Sequence, residues 1–241
     1  MTRAALITGA GTGIGAATAH ALAAGGYKVA LVGRRRELCA EVAAQLENAV
    51  VVAGDITTEA KRIVDEAHEA LGGLHVVVNN AGSIRRNVRL HEIDPSRWDE
   101  QLDVNLTAHF RVLHAALPHL LNETGDRAIV NVGSTLAHKL APGIGPYAAA
   151  KGGLVSLTKA LAVEYGPDGI RANAVMPAVV KTPLAHTDRP DFDAKQDEMA
   201  RAYPLKRLGE PEDVAAAIAW LADAPWISGT ILDVDGGFSV T

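Results

Sequence analysis

Seven short apolar runs punctuate the chain, at residues 4–8, 27–32, 49–53, 74–78, 128–132, 170–175 and 230–234. Each is rich in Val, Ile or Ala and most are closed by Gly, Asn or Asp, the pattern of short strands. Almost every residue in a run is apolar, rather than every second one, so both faces of the resulting sheet must be covered. Helical stretches fill the intervals, at 16–24, 36–46, 58–71, 95–121, 147–165 and 211–222, with one more helical piece near 192–202. Strands alternating with helices make parallel βαβ units. The expectation is an α/β chain forming a single doubly wound domain over residues 1–241. Its seven-stranded parallel sheet is flanked by helices on both faces. Residues 178–208 are polar and proline-marked, and read as an irregular lid region over a substrate.

The loop between the first strand and first helix is Gly9-Ala10-Gly11-Thr12-Gly13-Ile14-Gly15. Glycine permits positive φ and close backbone approach, and the helix start that follows offers free N–H groups to a phosphate. Gly11-x-Gly13-x-x-Ala16 fits the dinucleotide pattern in the position where such a fold puts its pyrophosphate. At the end of the second strand an acid binds a ribose 2′-hydroxyl, whereas an arginine accommodates a 2′-phosphate. Here Gly33 takes the acid's place and Arg34-Arg35-Arg36 follow. The arrangement favours NADP(H), with Arg34 as the arginine that reaches the phosphate, and leaves NAD(H) open. A solvated helix start is the plain alternative for these arginines.

Tyr147-Ala-Ala-Ala-Lys151 is Ala-rich and helical, so Tyr147 and Lys151 share a face one turn apart. An ammonium beside a phenol favours the phenolate and brings its proton within reach of neutral pH. Ser134 closes the fifth apolar run thirteen residues earlier. A strand-end hydroxyl facing a Tyr/Lys pair on the next helix is an acid/base site.

Together these residues resemble the short-chain dehydrogenase/reductase family, including its 3-oxoacyl-(acyl-carrier-protein) reductase-like members. The match runs over essentially the whole chain. Thr8-Gly9-x-x-x-Gly13-Ile14-Gly15 looks like the family's cofactor loop, and Asn79-Asn80-Ala81-Gly82 like its turn after the fourth strand. Asn105, Ser134, Tyr147 and Lys151 look like its catalytic tetrad, and Asp235-Gly236-Gly237 like its closing motif. The resemblance implies a Rossmann-type fold and interconversion of a carbonyl and a secondary alcohol. Tyr147 would exchange the proton and Ser134 would hold the substrate oxygen. Lys151 would tune Tyr147 and bond the nicotinamide ribose, and Asn105 would hold a relay water. Asn105 could at the same time be a helix-interior asparagine bonding nearby backbone. On the cofactor, the resemblance implies that Gly9, Thr12, Gly13, Ile14 and Gly15 meet the phosphates, Asp55 and Ile56 the adenine, and Asn80 and Ala81 the adenosine side. Val180 and Thr182 would meet the nicotinamide. Two positions depart from the family: Ala178 replaces a usual glycine after Pro177, which would strain a left-handed position, and Gly133 replaces a second serine.

Other classes are disfavoured. The formal net charge is -5 without a long basic run, which gives no nucleic-acid or membrane-surface partner. Cys39 is the only cysteine, so no internal disulfide forms. No apolar run is long enough to span a membrane, and the first strand begins too early for a signal peptide; a cytoplasmic location is the expectation. No histidine motif suggests a metal, and no G-x-S-x-G elbow accompanies Ser134. His138 could face the substrate, but a surface histidine is the simpler reading. A dinucleotide-binding regulator without turnover is the alternative from another class. The family resemblance also implies a homotetramer, built on the helices at 98–121 and 146–165.

Overall fold

A computed structural model describes residues 2–85, 89–188 and 191–241. The chain runs β1 (Ala4–Thr8), α1 (Gly13–Ala24), β2 (Lys28–Gly33), α2 (Arg36–Ala43), β3 (Ala49–Ala53), α3 (Ala60–Leu71) and β4 (Val76–Asn79). It continues through α4 (Pro95–Leu102), α5 (Ala108–Asn122), β5 (Arg127–Val132), α6 (Gly145–Tyr165) and β6 (Ile170–Pro177). The last part holds α7 (Pro183–Asp188), α8 (Phe192–Arg201), α9 (Pro211–Asp223) and β7 (Ile231–Val234).

The strands form one parallel sheet in the order β3-β2-β1-β4-β5-β6-β7. This is the doubly wound arrangement expected from the apolar runs. Alternate residues of each strand face opposite sides. Ala4 and Leu6 pack with residues of α3, α5 and α6, whereas Ala5 and Ile7 pack with residues of α1, α2 and α9. Each large aliphatic side chain so buried contributes roughly 1.5–3 kcal/mol. β1 is an interior strand: Ile7 pairs with Leu31 on one side and Val78 on the other. The winding reverses between β1 and β4, and a doubly wound sheet opens its ligand crevice at the carboxyl ends of such strands.

Three local features differ from expectation. The helix anticipated over 95–121 is two helices joined by a π turn, Asp103–Thr107. Asn105 sits in that turn and donates to the Gln101 carbonyl at 3.0 Å and the Ser83 carbonyl at 2.8 Å. A side chain bonded across to another segment is what an inserted turn accommodates. Within 178–208, α7 precedes the anticipated helical piece, with Pro183 at its first position; residues 189 and 190 lie outside the described residues. Helix α1 begins at Gly13 rather than Ala16, because the glycines of the loop enter its first turn.

Candidate active site

The glycine loop forms one wall of a cleft of about 1050 Å³ at the switch point, lined also by Arg34, Arg35, Asp55, Ile56 and Ala81. Gly13 has φ +55°, and a Cβ there would stand 2.9 Å from Thr182 Cγ2. Its lack of a side chain lets the loop after β6 close over the loop after β1. Gly15 is buried behind the wall, where a Cβ would strike the Gly9 carbonyl. Thr12 precedes α1 without a side-chain capping bond, so no cap from Thr12 takes the first-turn N–H groups. These features fit a dinucleotide: bare backbone, a helix N-terminus and a long cleft.

Thr8 and Asn80 hold the loop in place. Thr8 Oγ1 accepts from the Asn80 and Ala81 N–H groups, both at 3.0 Å. Asn80 Nδ2 donates to the carbonyls of Thr8 at 2.8 Å and Gly9 at 3.3 Å. At the far end, Asp55 Oδ1 accepts from Thr57 N at 2.9 Å and Thr57 Oγ1 at 2.7 Å, while Arg34 lies 3.9 Å from Oδ2. Burial raises the Asp55 pKa, but the two Thr57 bonds and the Arg34 charge outweigh it and hold the carboxyl below its ordinary range. The acid position at Gly33 is occupied from the side: a Cβ there would stand 2.8 Å from Cys39 Sγ. Cys39 is therefore a packing residue, buried against the loop and β2.

A second cavity of about 270 Å³ shares Ile14, Asn80 and Thr182 with the cleft, and Asn105, Ser134, Tyr147, Lys151 and Val180 all line it. Ser134 follows β5 and caps the turn Thr135–Ala137, accepting from Leu136 N at 3.2 Å. Tyr147 and Lys151 lie one turn apart at the start of α6, and all three side chains are buried. Lys151 Nζ donates to the Val132 carbonyl at 2.8 Å and stands 5.9 Å from the Tyr147 ring centroid. Burial pulls the Lys151 pKa down to about 7. The ammonium assumed from sequence is thus weakened by its own desolvation. Asn105 Oδ1 accepts from Ser83 N at 3.2 Å, so the backbone-bonding reading of this asparagine holds. Gly82 lies between the two: a Cβ there would stand 3.0 Å from Asn105 Oδ1 and 3.7 Å from Lys151 Nζ.

Several groups around the site carried no sequence signal. His109 is fully buried, and its Nε2 lies 2.6 Å from the Ala81 carbonyl. A carbonyl only accepts, so Nε2 carries the proton and Nδ1 is bare. Burial, with the Lys151 charge adding to it, drives the His109 pKa down to about 3. Lys139, Tyr203 and Phe238 also line the cavity. Tyr203 and Phe238 stack at 4.9 Å, and the Tyr203 hydroxyl accepts from Val179 N at 3.1 Å. Ala178 carries no left-handed strain, since Lys206, at φ +55°, is the only non-glycine residue with positive φ among the described residues. Gly133 is needed because a Cβ there would collide with Met176 Sδ. His138 is exposed and lies 3.5 Å from Asp233, on the surface. Among the described residues no three His, Cys, Asp or Glu side chains gather as a metal site.

The family model described as enoyl-(acyl carrier protein) reductase matches residues 9–239. The chain belongs to the short-chain dehydrogenase/reductase family. A cis-4-hydroxycyclohexanecarboxylate dehydrogenase of Sinomonas cyclohexanicum is 40% identical over 98% of the chain and 96% of its own length. A 3-ketoacyl-(acyl-carrier-protein) reductase from Brucella melitensis, solved with NADH, superposes with a TM-score of 0.92 at 35% identity, covering 98% of both chains. An actinorhodin polyketide ketoreductase solved with NADPH superposes with a TM-score of 0.94 at 30% identity, covering 100% of this chain and 98% of its own. Membership makes the protein an oxidoreductase of CH–OH and carbonyl groups. The solved neighbours that carry NADH or NADPH support a nicotinamide dinucleotide as the cofactor.

Proposed function

We propose that the protein is an NADP(H)-dependent oxidoreductase interconverting a ketone and a secondary alcohol. The observation that carries the reading is the convergence of Ser134, Tyr147 and Lys151 on one small cavity that opens beside the glycine-loop cleft. A bound nicotinamide dinucleotide supplies or accepts the hydride. The protein's part is binding, orientation and the proton. Ser134 Oγ donates to the substrate oxygen and stabilises charge developing there. Tyr147 donates its phenolic proton to that oxygen in reduction and takes it back in oxidation. Lys151, tied to the Val132 carbonyl, favours the phenolate when charged and reaches the nicotinamide ribose. Asn105, at the π turn beside Gly82, orients the relay that returns the proton. Gly9, Thr12, Gly13 and Ile14 receive the phosphates, Asp55 and Ile56 the adenine, Asn80 and Ala81 the adenosine side, and Val180 and Thr182 the nicotinamide; Gly15 keeps the loop closed from behind.

Arg34 and Arg35 line the cleft next to a Gly33 that has no carboxylate, which supports NADP(H). The approach of Arg34 to Asp55 at 3.9 Å engages part of its charge and keeps NAD(H) as the second reading. Leu184 and Ala185 of α7 line the cavity, in keeping with a substrate lid over residues 178–208. Phe110, Leu121 and Val163 are exposed apolar side chains on α5 and α6, in keeping with a homotetramer built on those helices; light scattering after size exclusion measures it. No described helix is long and apolar enough to cross a membrane.

The deciding experiment is Tyr147→Phe. Turnover falls by about 10²–10⁴, while cofactor binding, followed by fluorescence titration, is retained. Undiminished turnover in Tyr147→Phe rules out Tyr147 as the proton donor; a wild type that binds the dinucleotide and turns over no carbonyl or alcohol favours a dinucleotide-binding regulator.

A further inference from the structure

We propose that Lys139 makes the cavity select a small ketone or alcohol carrying a second, anionic group, a carboxylate or a sulfonate. The inference rests on the reading of this cavity as the substrate site. Its volume of about 270 Å³ lies just below the usual span of ligand pockets, and the reactive end of the cofactor must share it. The wall is mostly apolar, with Ile84, Leu136, Val179, Leu184 and Phe238 among its residues. Among the described residues it bears two lysines and no carboxylate. Lys151 is buried beneath, bonded to the Val132 carbonyl. Lys139 is the other lysine of the lining, with its ammonium on Phe238 and Thr241.

The ammonium of Lys139 has no Asp or Glu partner among the described ion pairs. It donates to the Phe238 carbonyl, to Thr241 O at 2.6 Å and to Thr241 Oγ1 at 3.0 Å, and stands 4.3 Å from the Phe238 ring centroid. Thr241 is exposed, so a bound anion can replace its oxygens on Lys139 without opening the core. The bonds to Thr241 are already charge-assisted through the ammonium, so a substrate anion replaces them with bonds of the same kind. Lys139 is also held at a set distance from the reacting end, because its N–H bonds the Thr135 carbonyl at 2.8 Å, next to Ser134. The substrate is gripped at two ends: its oxygen by Ser134 and Tyr147, its anion by Lys139.

The test compares 4-oxocyclohexanecarboxylate with its methyl ester as substrates, in the wild type, Lys139→Met and Lys139→Arg. In parallel, calorimetry measures binding of cyclohexanecarboxylate, cyclohexanesulfonate and cyclohexanecarboxamide to the NADP⁺-saturated protein. The expected result is a wild-type preference of about tenfold or more in kcat/KM for the acid, expressed in KM. That preference disappears in Lys139→Met and persists in Lys139→Arg, with carboxylate and sulfonate binding following the same order. Equal acid-to-ester ratios in the wild type and Lys139→Met overturn the inference and leave the oxidoreductase reading standing. Lys139-dependent anion binding without reduction of any ketone sinks the chemistry assigned to Tyr147 and keeps the anion site.

Discussion

Cys39 Sγ lies 2.8 Å from where a Cβ on Gly33 would stand, so a residue that would choose NAD(H) there is crowded by a neighbour six positions away on α2. Installing an acid at this strand end, the usual route to ribose recognition, is therefore a packing problem as well as an electrostatic one. Gly33→Asp alone overpacks the site by about 1–3 kcal/mol. Its melting temperature should fall by several degrees, with little gain in NADH use. Gly33→Asp with Cys39→Ala removes the sulfur, regains most of the stability and moves preference toward NADH. Calorimetric melting and parallel NADH and NADPH titrations check both. A fully stable single variant would mean that Cys39 does not guard this position.

Arg34 is exposed and only loosely paired with Asp55, so its loss should leave the fold intact. Arg34→Ala removes a charge-assisted partner of a 2′-phosphate, worth about 1.5–3 kcal/mol. NADPH affinity should drop by roughly 10–100-fold while NADH affinity stays near its starting value. An unchanged ratio of the two affinities would refute the arginine argument and favour NAD(H).

Lys151 ties the site to pH. Burial lowers its pKa from 10.5 to about 7 in the folded chain. Between these values the unfolded chain holds a proton that the folded one has released, so stability rises with pH across that window. Below about 7 the fold must bury the charge, and the destabilisation applies in full. Lys151→Met deletes this term and leaves the Val132 carbonyl without its donor, a loss of about 1–3 kcal/mol at any pH. The difference in melting temperature, variant minus wild type, should therefore be more positive at pH 6 than at pH 10. A difference that stays flat between the two pH values would show that Lys151 is charged in the fold throughout.

What was legible in the residues was what is local. β1, β3 and β5 could be read because each is a short apolar run, and Gly72, left-handed at φ +71°, ends α3 where a glycine stop was expected. The Tyr147–Lys151 pair was legible because one helical turn brings it together. The π turn was not, because its cause is the bond from Asn105 to Ser83, which lies 22 positions earlier. Helix α7 is short and set among prolines, with no periodicity to betray it. Lys139 and Phe238 stand 99 positions apart, and the role of Cys39 depends on a strand end it does not adjoin in sequence. The charge state of Lys151 follows from burial, which only the packed sheet and helices create.

Asn80 separates two readings of the turn after β4. It lines the cleft, as a cofactor contact would, but its side-chain amide donates to the Thr8 and Gly9 carbonyls. If the donor role dominates, Asn80→Ala leaves carbonyls at the base of the glycine loop unsatisfied, at about 1–3 kcal/mol. That corresponds to a fall of several degrees in melting temperature for a domain of this size, at about 2–4 °C per kcal/mol. Asn80→Asp is the sharper probe. An aspartate presents acceptors to acceptors, so it should be less stable than the alanine variant and bind NADPH more weakly, a difference that narrows as the pH is lowered and the carboxyl regains a proton to donate. If Asn80 served instead as an acceptor for the cofactor, aspartate would be tolerated better than alanine. Melting curves and cofactor titrations of the two variants at pH 5 and pH 8 distinguish the cases, and an aspartate variant that outperforms alanine at pH 8 would remove Asn80 from its place as the anchor of the loop.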